Sequence, residues 1–114
     1  MPSAAELRAQ RRIEIKVGKF TFIGRRPTQG DAIRLGLNRN STVLDFARNL
    51  VDGWKDVTEF DVFGTGDKEA PLPFDKDLWL EWIDDRGDFW VPIADAVCDA
   101  WVAHTEGVKE AAGE

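Results

Sequence analysis

The sequence predicts an α+β fold, mostly helical, in which an N-terminal two-stranded β-hairpin packs on about four α-helices. Apolar residues alternate with polar ones near the N-terminus, as in strands, and recur every three or four residues further along, as in helices. Hydrophobic residues make up 43% of the 114 residues and include five Trp and seven Phe, which is enough to build a core. We expect residues 1–114 to form a single domain that is frayed at 1–11 and 106–114.

The hairpin is predicted on both sides of Gly18-Lys19. Pro27 ends the second strand, because proline has no amide proton for a β-ladder. Two strands alone are marginally stable in water, so the apolar side of the hairpin must lie on helices. The alternating apolar positions are Ile13, Ile15, Val17, Phe20 and Phe22.

The first helix after the hairpin is predicted over about 29–38. Thr28 is a suitable N-cap, and Asp31 in the first turn favours the positive end of the helix. Ile33 and Leu37 are four residues apart and define one apolar stripe.

A second helix is predicted over about 42–52, with Gly53 as a left-handed C-cap and Trp54 anchoring the exit. Residues 55–73 follow as a long connection, which is either a functional or partner-ordered loop or contains a short strand at 57–63. The break before this helix is predicted at Asn38, Asn40 and Ser41.

Two further helices are predicted near the C-terminus. Asp75 caps the first, Phe74 and Trp79 have the spacing of a hydrophobic staple, and Gly87 ends it. Asp88 and Pro92 open the last helix, where proline is tolerated only within the first turn. Its four-residue apolar stripe consists of Phe89, Ile93, Val97, Trp101 and His104.

Charge is distributed unevenly along the chain. Residues 1–57 carry 11 Lys/Arg and 6 Asp/Glu, whereas residues 58–114 carry 4 and 15, for a net charge of −6. This asymmetry suits self-association or a charged partner, and it equally suits a surface that keeps the domain soluble. The single cysteine and the lack of a long apolar segment predict a soluble protein of the cytoplasm without a membrane anchor.

Motifs for catalysis, metals and cofactors are missing from the sequence. Cys98 and His104 are six residues apart on one predicted helix, so their side chains point to different faces and do not form a catalytic pair. We expect structural roles instead, with Cys98 partly buried. The acidic residues Asp84, Asp85 and Asp88 lack the order of a calcium loop. The sequence therefore predicts a protein that is not an enzyme and needs no cofactor.

Nucleic-acid binding is an alternative that rests on the N-terminal half. Basic residues interleaved with Phe20 and Phe22 could bind single strands, but a sequence pI of about 4.8 argues against phosphate binding. The basic residues are Arg8, Arg11, Arg12, Lys16, Lys19, Arg25 and Arg26.

The Trp residues are the remaining unusual feature. Adjacent Phe89 and Trp90 cannot both face one interior, and "DLWLEW" is apolar on too many sides for one stripe. At least one aromatic side chain is therefore expected at the surface, where such residues bind partners. Trp79, Trp82 and Trp90 are the predicted contact residues.

The ordered layout of the chain resembles the tail assembly chaperones of long-tailed bacteriophages and prophages. The elements that carry the likeness are "FTFIGRRPT", "ARNLVDGWKDV", an acidic loop with glycines, "PLPFDKDLWLEWID" and a final amphipathic helix, within residues 13–104. Most of the resemblance lies in Gly53-Trp54 and Pro73-Phe74, which we interpret as structural anchors.

The resemblance implies a non-enzymatic role in tail assembly. Such chaperones bind the tape measure protein, help bring tail tube subunits to it, and are absent from the finished virion. An alternative in the same setting is a structural head–tail connection or minor tail protein, which would remain in the particle.

Overall fold

In the described part of the chain, three strands and six helices are arranged so that helices cover one face of a small sheet. The computed structural model describes residues 3–34 and 42–112. The α+β class, mostly helical, is confirmed. In chain order the elements are α1 (Ala4–Gln10), β1 (Arg12–Val17), β2 (Phe20–Arg25), α2 (Gln29–Arg34), α3 (Val43–Asn49), β3 (Val51–Lys55), α4 (Glu59–Phe63), α5 (Lys76–Asp84) and α6 (Gly87–Ala112).

The predicted hairpin is present, and a third strand extends it. Strands β1 and β2 pair antiparallel with Ile15 opposite Phe22, and Gly18 takes a positive φ of 59° in the turn. Strand β3 then pairs antiparallel with the other edge of β2, which gives the order β1-β2-β3. The sheet therefore has three strands, and the expectation that the hairpin forms a sheet of only two was wrong.

Strand β3 occupies residues that the sequence placed at the end of a helix. Helix α3 ends at Asn49, and Gly53 lies inside β3 opposite Ile23 rather than capping a helix. A bulge places Val51 opposite Gly24 and Trp54 opposite Phe22, so that both face the core although they are three residues apart. That spacing looks helical in sequence, because a bulge adds one residue to the strand period of two.

The core is built largely from aromatic rings. Phe22 packs between Trp79, at a centroid distance of 5.0 Å, and Phe89, at 5.1 Å. Trp82 meets Trp54 edge to face at 5.7 Å. Such tilted and edge-on contacts are the favoured geometries for aromatic pairs. The buried cluster joins all three strands to α3, α5 and α6.

Several predicted caps are confirmed. The Thr28 hydroxyl accepts the Asp31 amide at 3.0 Å at the start of α2. The Asp75 carboxylate accepts the Leu78 amide at 3.0 Å and begins α5. Ile33, however, is 82% exposed and faces solvent, so it does not contribute to an apolar stripe. The predicted break at 38–41 and the stripe position Leu37 lie outside the described residues.

Helix boundaries elsewhere differ from the prediction. Residues 4–10 form α1, because the Ser3 hydroxyl accepts the Glu6 amide at 3.2 Å and caps the helix. Helix α5 ends at Asp84, and Gly87 begins α6 instead of ending α5. Pro92 therefore lies in the second turn of α6.

The last helix extends into the C-terminal segment. Helix α6 continues to Ala112, so it includes residues 106–112. Its predicted stripe is confirmed at Phe89, Ile93 and Val97, which are buried. Towards the C-terminus the stripe leaves the core, since His104 is exposed. The C-terminal part of α6 consequently presents apolar side chains that the core does not cover.

Candidate protein-binding surfaces

The tryptophans expected to contact a partner lie mostly inside the protein. Trp79 is fully buried and its indole N–H donates to the Ala47 carbonyl at 3.1 Å. Trp82 is also buried. The prediction that these two residues contact a partner was therefore wrong, because neither ring can reach one while the domain is folded. Trp90 is half-buried and donates to the Ile83 carbonyl at 2.6 Å, which fixes its ring against the end of α5.

The predicted anchors lie where α5 meets the sheet. The Trp54 indole N–H donates to the Leu72 carbonyl at 2.7 Å, and its ring meets Phe74 edge to face at 4.8 Å. Trp54 thus anchors the segment that leads into α5, from a strand rather than from a helix exit. Pro73, between Leu72 and Phe74, is exposed.

Cys98 and His104 both lie on α6. Cys98 is exposed rather than partly buried as expected. Partial desolvation of its sulfur and the neighbouring carboxylates of Asp95 and Asp99 raise the pKa of the Cys98 thiol, which disfavours the reactive thiolate. His104, six residues further along α6, is exposed near the Trp101 ring, with the ring centroids 6.3 Å apart.

Neither a cluster of metal ligands nor a membrane-spanning helix is found in the described part of the chain. Within residues 3–34 and 42–112, no three His, Cys, Asp or Glu side chains are grouped closely enough to hold a metal ion. None of the helices in these ranges has the length and apolar character needed to cross a membrane.

Helix α4 carries an exposed aromatic patch made of Phe60 and Phe63. Phe60 is 38% exposed and Phe63 is 58% exposed. The Lys68 ammonium lies 4.6 Å from the centroid of the Phe60 ring, which is a cation–π distance. We call Phe60 and Phe63 the α4 patch.

The backbone of α4, which carries the α4 patch, is fixed by two caps, a backbone hydrogen bond and an ion pair. Thr58 and Asp61 form a reciprocal capping box, and Gly64 ends the helix at a positive φ of 75°. The Phe60 amide donates to the Asp67 carbonyl at 3.0 Å, and Lys19 in the hairpin turn pairs with Asp61 at 2.7 Å. The two Phe side chains are therefore presented by an ordered platform and not by a loose loop.

The α4 patch was not among the predicted sites, although the sequence contains a signal for it. Residues 57–63 were considered only as a loop or a short strand. Thr58, Asp61 and Gly64 have the spacing of an N-cap, its box partner and a C-cap, which together define a short helix of five residues. With that boundary recognised, Phe60 and Phe63 are three residues apart and fall on one face of a helix.

A second surface lies on the sheet face opposite the core. A cleft of about 750 Å³ there is lined by Arg8, Arg11, Arg12, Arg25 and Arg34, together with Asp31 and Asp52. Arg12 and Arg25 are direct cross-strand neighbours, an arrangement in which like charges repel. Arg25 is neutralised by Asp31 and by Asp52, the latter at 3.6 Å. We call this surface the arginine cleft.

Asp31 organises one side of the arginine cleft. Burial alone would raise the pKa of the Asp31 carboxyl, but the backbone N–H of Thr28 and the guanidinium groups of Arg25 and Arg34 outweigh that effect and lower it. A lowered pKa in the folded state means that the unfolded chain binds more protons in the titration range. The carboxylate thus stabilises the fold above its unfolded pKa of about 3.9, and this contribution is lost as pH falls through the folded pKa.

We expect Asp31→Asn to lower the free energy of unfolding by about 1–3 kcal/mol near neutral pH, because it removes charge-assisted hydrogen bonds from a buried group. Urea unfolding of the variant and the wild type at about pH 6 and about pH 3 measures this, and the difference should shrink at the lower pH. Asp52→Asn is the matched control, since Asp52 is exposed. An equal difference at both pH values would show that the charge of Asp31 is not what stabilises the fold.

Comparison of the chain with family models, curated proteins and solved structures found no match.

Proposed function

We propose that this chain is a non-enzymatic assembly chaperone for the tail of a long-tailed bacteriophage or prophage. In this role it binds the tape measure protein in the host cytoplasm and helps bring tail tube subunits to it. The ordered layout of the sequence supports the role, and the exposed α4 patch on its ordered platform is the observation that supports it most directly.

The α4 patch has the properties that binding of an aggregation-prone helical protein requires. Aromatic side chains provide most of the binding energy at protein interfaces, because each buries a large area at a small cost in side-chain entropy. The backbone that carries Phe60 and Phe63 is already helical before binding, so little backbone freedom is lost when a partner covers the two rings. A net charge of −6 keeps the chaperone and its complex soluble.

Many weak contacts suit a chaperone better than one tight site. A long helical partner offers repeated apolar faces, and several chaperone copies can bind along it. Each copy then needs only a small patch, and the α4 patch is of that size. The complex can come apart when tube subunits replace the chaperone.

The role is tested by co-expressing this chain with the long helical protein encoded directly downstream of it. We expect a soluble complex to be recovered from a partner that aggregates when expressed alone. If the partner stays insoluble while this chain stays monomeric and unbound, the proposed function is wrong. Detection of the chain in purified virions would instead favour a structural tail component.

Replacing both Phe60 and Phe63 with Ala should weaken recovery of that complex by roughly tenfold or more, because a buried aromatic anchor is worth about 1–2 kcal/mol or more. The fold should persist, since both rings are exposed in the free chain. Val91→Ala with Val102→Ala is the matched control, as it removes two exposed apolar side chains from another surface. Equal losses in the two double variants would show that the α4 patch has no special role.

A further inference from the structure

A groove separate from the α4 patch runs between α1 and the C-terminal part of α6. It has a volume of about 320 Å³. Leu7 forms one wall, and Trp101, Thr105 and Val108 form the other. These three α6 residues follow the four- and three-residue spacing of one helix face, over about 10 Å of helix. Leu7 and Val108 are both exposed, so the groove presents apolar surface to solvent.

Two arginines, Arg11 and Arg26, border this groove. The Arg26 amide donates to the Arg11 carbonyl at 2.8 Å, which holds the two residues side by side. No carboxylate of the described residues lies within 4.0 Å of either guanidinium group. The Nε atom of Arg11 is buried and has no hydrogen-bond partner in the same part of the chain. Guanidinium groups that lack a carboxylate partner gain charge-assisted hydrogen bonds when a ligand in the groove supplies one.

The positive charges of Arg11 and Arg26 also repel each other. Burial and the neighbouring charge of Arg11 lower the pKa of the Arg26 guanidinium, although it stays protonated at any ordinary pH. The groove is continuous with the arginine cleft, because Arg11 and Thr28 line both. An anion bound here would therefore meet a positive surface that extends beyond the groove itself.

We propose that this groove binds an amphipathic helix of a partner protein whose polar face is acidic. The apolar ridge of that helix packs on Leu7, Trp101 and Val108, and its carboxylates pair with Arg11 and Arg26. Two helices forming the walls suit a third helix as the occupant, with residues spaced by three and four as anchors. The inference does not depend on the tail-assembly role, because the groove shares no residue with the α4 patch.

An acidic helix fits these observations better than a nucleic acid does. A phosphate backbone has no apolar face to cover the wall of Leu7, Trp101 and Val108. The chain as a whole is acidic, with a net charge of −6, which repels a long polyanion more than a short helix with a few carboxylates. Carboxylates also match the planar guanidinium group, with which they form paired hydrogen bonds.

The test uses two fluorescein-labelled peptides of about 18 residues, or five helical turns. Both have Leu at positions i, i+3, i+4 and i+7, and their polar positions are Glu in one and Lys in the other. Anisotropy titrations with the full chain should show the Glu peptide binding at least about tenfold more tightly than the Lys peptide, with a preference that shrinks as salt is raised. A labelled single-stranded oligothymidine of similar length is the third probe.

Two variants locate the site. Arg11→Gln with Arg26→Gln should weaken binding of the Glu peptide by about tenfold or more, because it removes both charge-assisted contacts. Lys16→Gln with Arg48→Gln removes the same charge outside the groove and should change the affinity by less than about twofold. Val108→Asp introduces a repelling charge at an exposed position and should also weaken binding by about tenfold, even if the double arginine variant fails to fold.

¹H–¹⁵N NMR spectra of the five tryptophan indole N–H groups provide an independent check. Among the tryptophans, only Trp101 lines the groove. Addition of the Glu peptide should shift the Trp101 signal and leave those of buried Trp54 and Trp79 in place. Equal affinities for the Glu and Lys peptides, or an unchanged Trp101 signal, would overturn the proposal. So would oligothymidine binding that depends on Arg11 and Arg26 when the Glu peptide does not bind.

Discussion

Replacing Trp79 with Ala is expected to lower the free energy of unfolding by about 4 kcal/mol, the largest effect of any single change considered for this protein. The Trp79 ring is fully buried and meets Phe22 at 5.0 Å, Trp82 at 6.1 Å and Trp54 at 6.5 Å between ring centroids. Truncation leaves a cavity between the sheet and α5 that surrounding rings cannot fill, because their own contacts hold them in place.

The loss at Trp79 has a polar component as well. Its indole N–H donates a buried hydrogen bond to the Ala47 carbonyl oxygen, and alanine provides no replacement donor. Urea unfolding followed by far-ultraviolet circular dichroism measures the change without relying on Trp fluorescence. Trp101→Ala is the matched control, since this ring is only half-buried and its removal should cost less than about 2 kcal/mol. Similar losses in the two variants would show that the core is not centred on Trp79.

Replacing Gly24 with Ala is expected to lower the free energy of unfolding by about 3 kcal/mol, because the new methyl group has no room. A Cβ atom at this position would lie 2.7 Å from the Leu50 carbonyl oxygen and 3.0 Å from Ile15 Cδ1. The oxygen cannot move aside freely, since it accepts the Arg25 amide at 3.0 Å beside the bulge between β2 and β3. To make room for the methyl group, either that hydrogen bond or the pairing of β3 with β2 must be disrupted.

Thermal and urea unfolding measure the effect at Gly24. Gly107→Ala is the control, because a Cβ atom there meets nothing within 4 Å and the position lies inside α6. In a helix interior, alanine is favoured over glycine by about 1 kcal/mol, so this control should gain stability. Stability that is unchanged in Gly24→Ala would mean that β3 is not held against β2 as closely as these distances require.

The positions of Gly24 and Trp79 explain why the third strand matters for the proposed function. Strand β3 brings Trp54 into the core and fixes Leu72 and Phe74 at the start of α5. Together with the isolated bridge between Thr58 and Pro71, this closes the connection 55–73 into an ordered unit. The platform of the α4 patch depends on that closure, so a variant that loosens β3 should also weaken the proposed recovery of a partner through the patch.

The sequence by itself determined the features that depend on neighbouring residues. Period-two alternation around Gly18 located the hairpin, and the side chains of Thr28 and Asp75 located two helix starts, because strand pleating and helix capping are decided within a few residues. The buried stripe of Phe89, Ile93 and Val97 was visible for the same reason, since helical spacing alone places these residues on one face.

Only the tertiary structure decided the third strand and the exposure of the aromatic residues. Residues 51–55 form a strand because the free edge of β2 offers backbone partners, and that gain comes from residues about 30 positions earlier in the chain, as with Ile23 and Gly53. Trp79 and Trp82 are buried while Phe60 and Phe63 are exposed because one aromatic core has limited volume, and the fold determines which rings fill it. Local spacing carries no information about that competition, so the candidate binding surfaces emerged only from the folded chain.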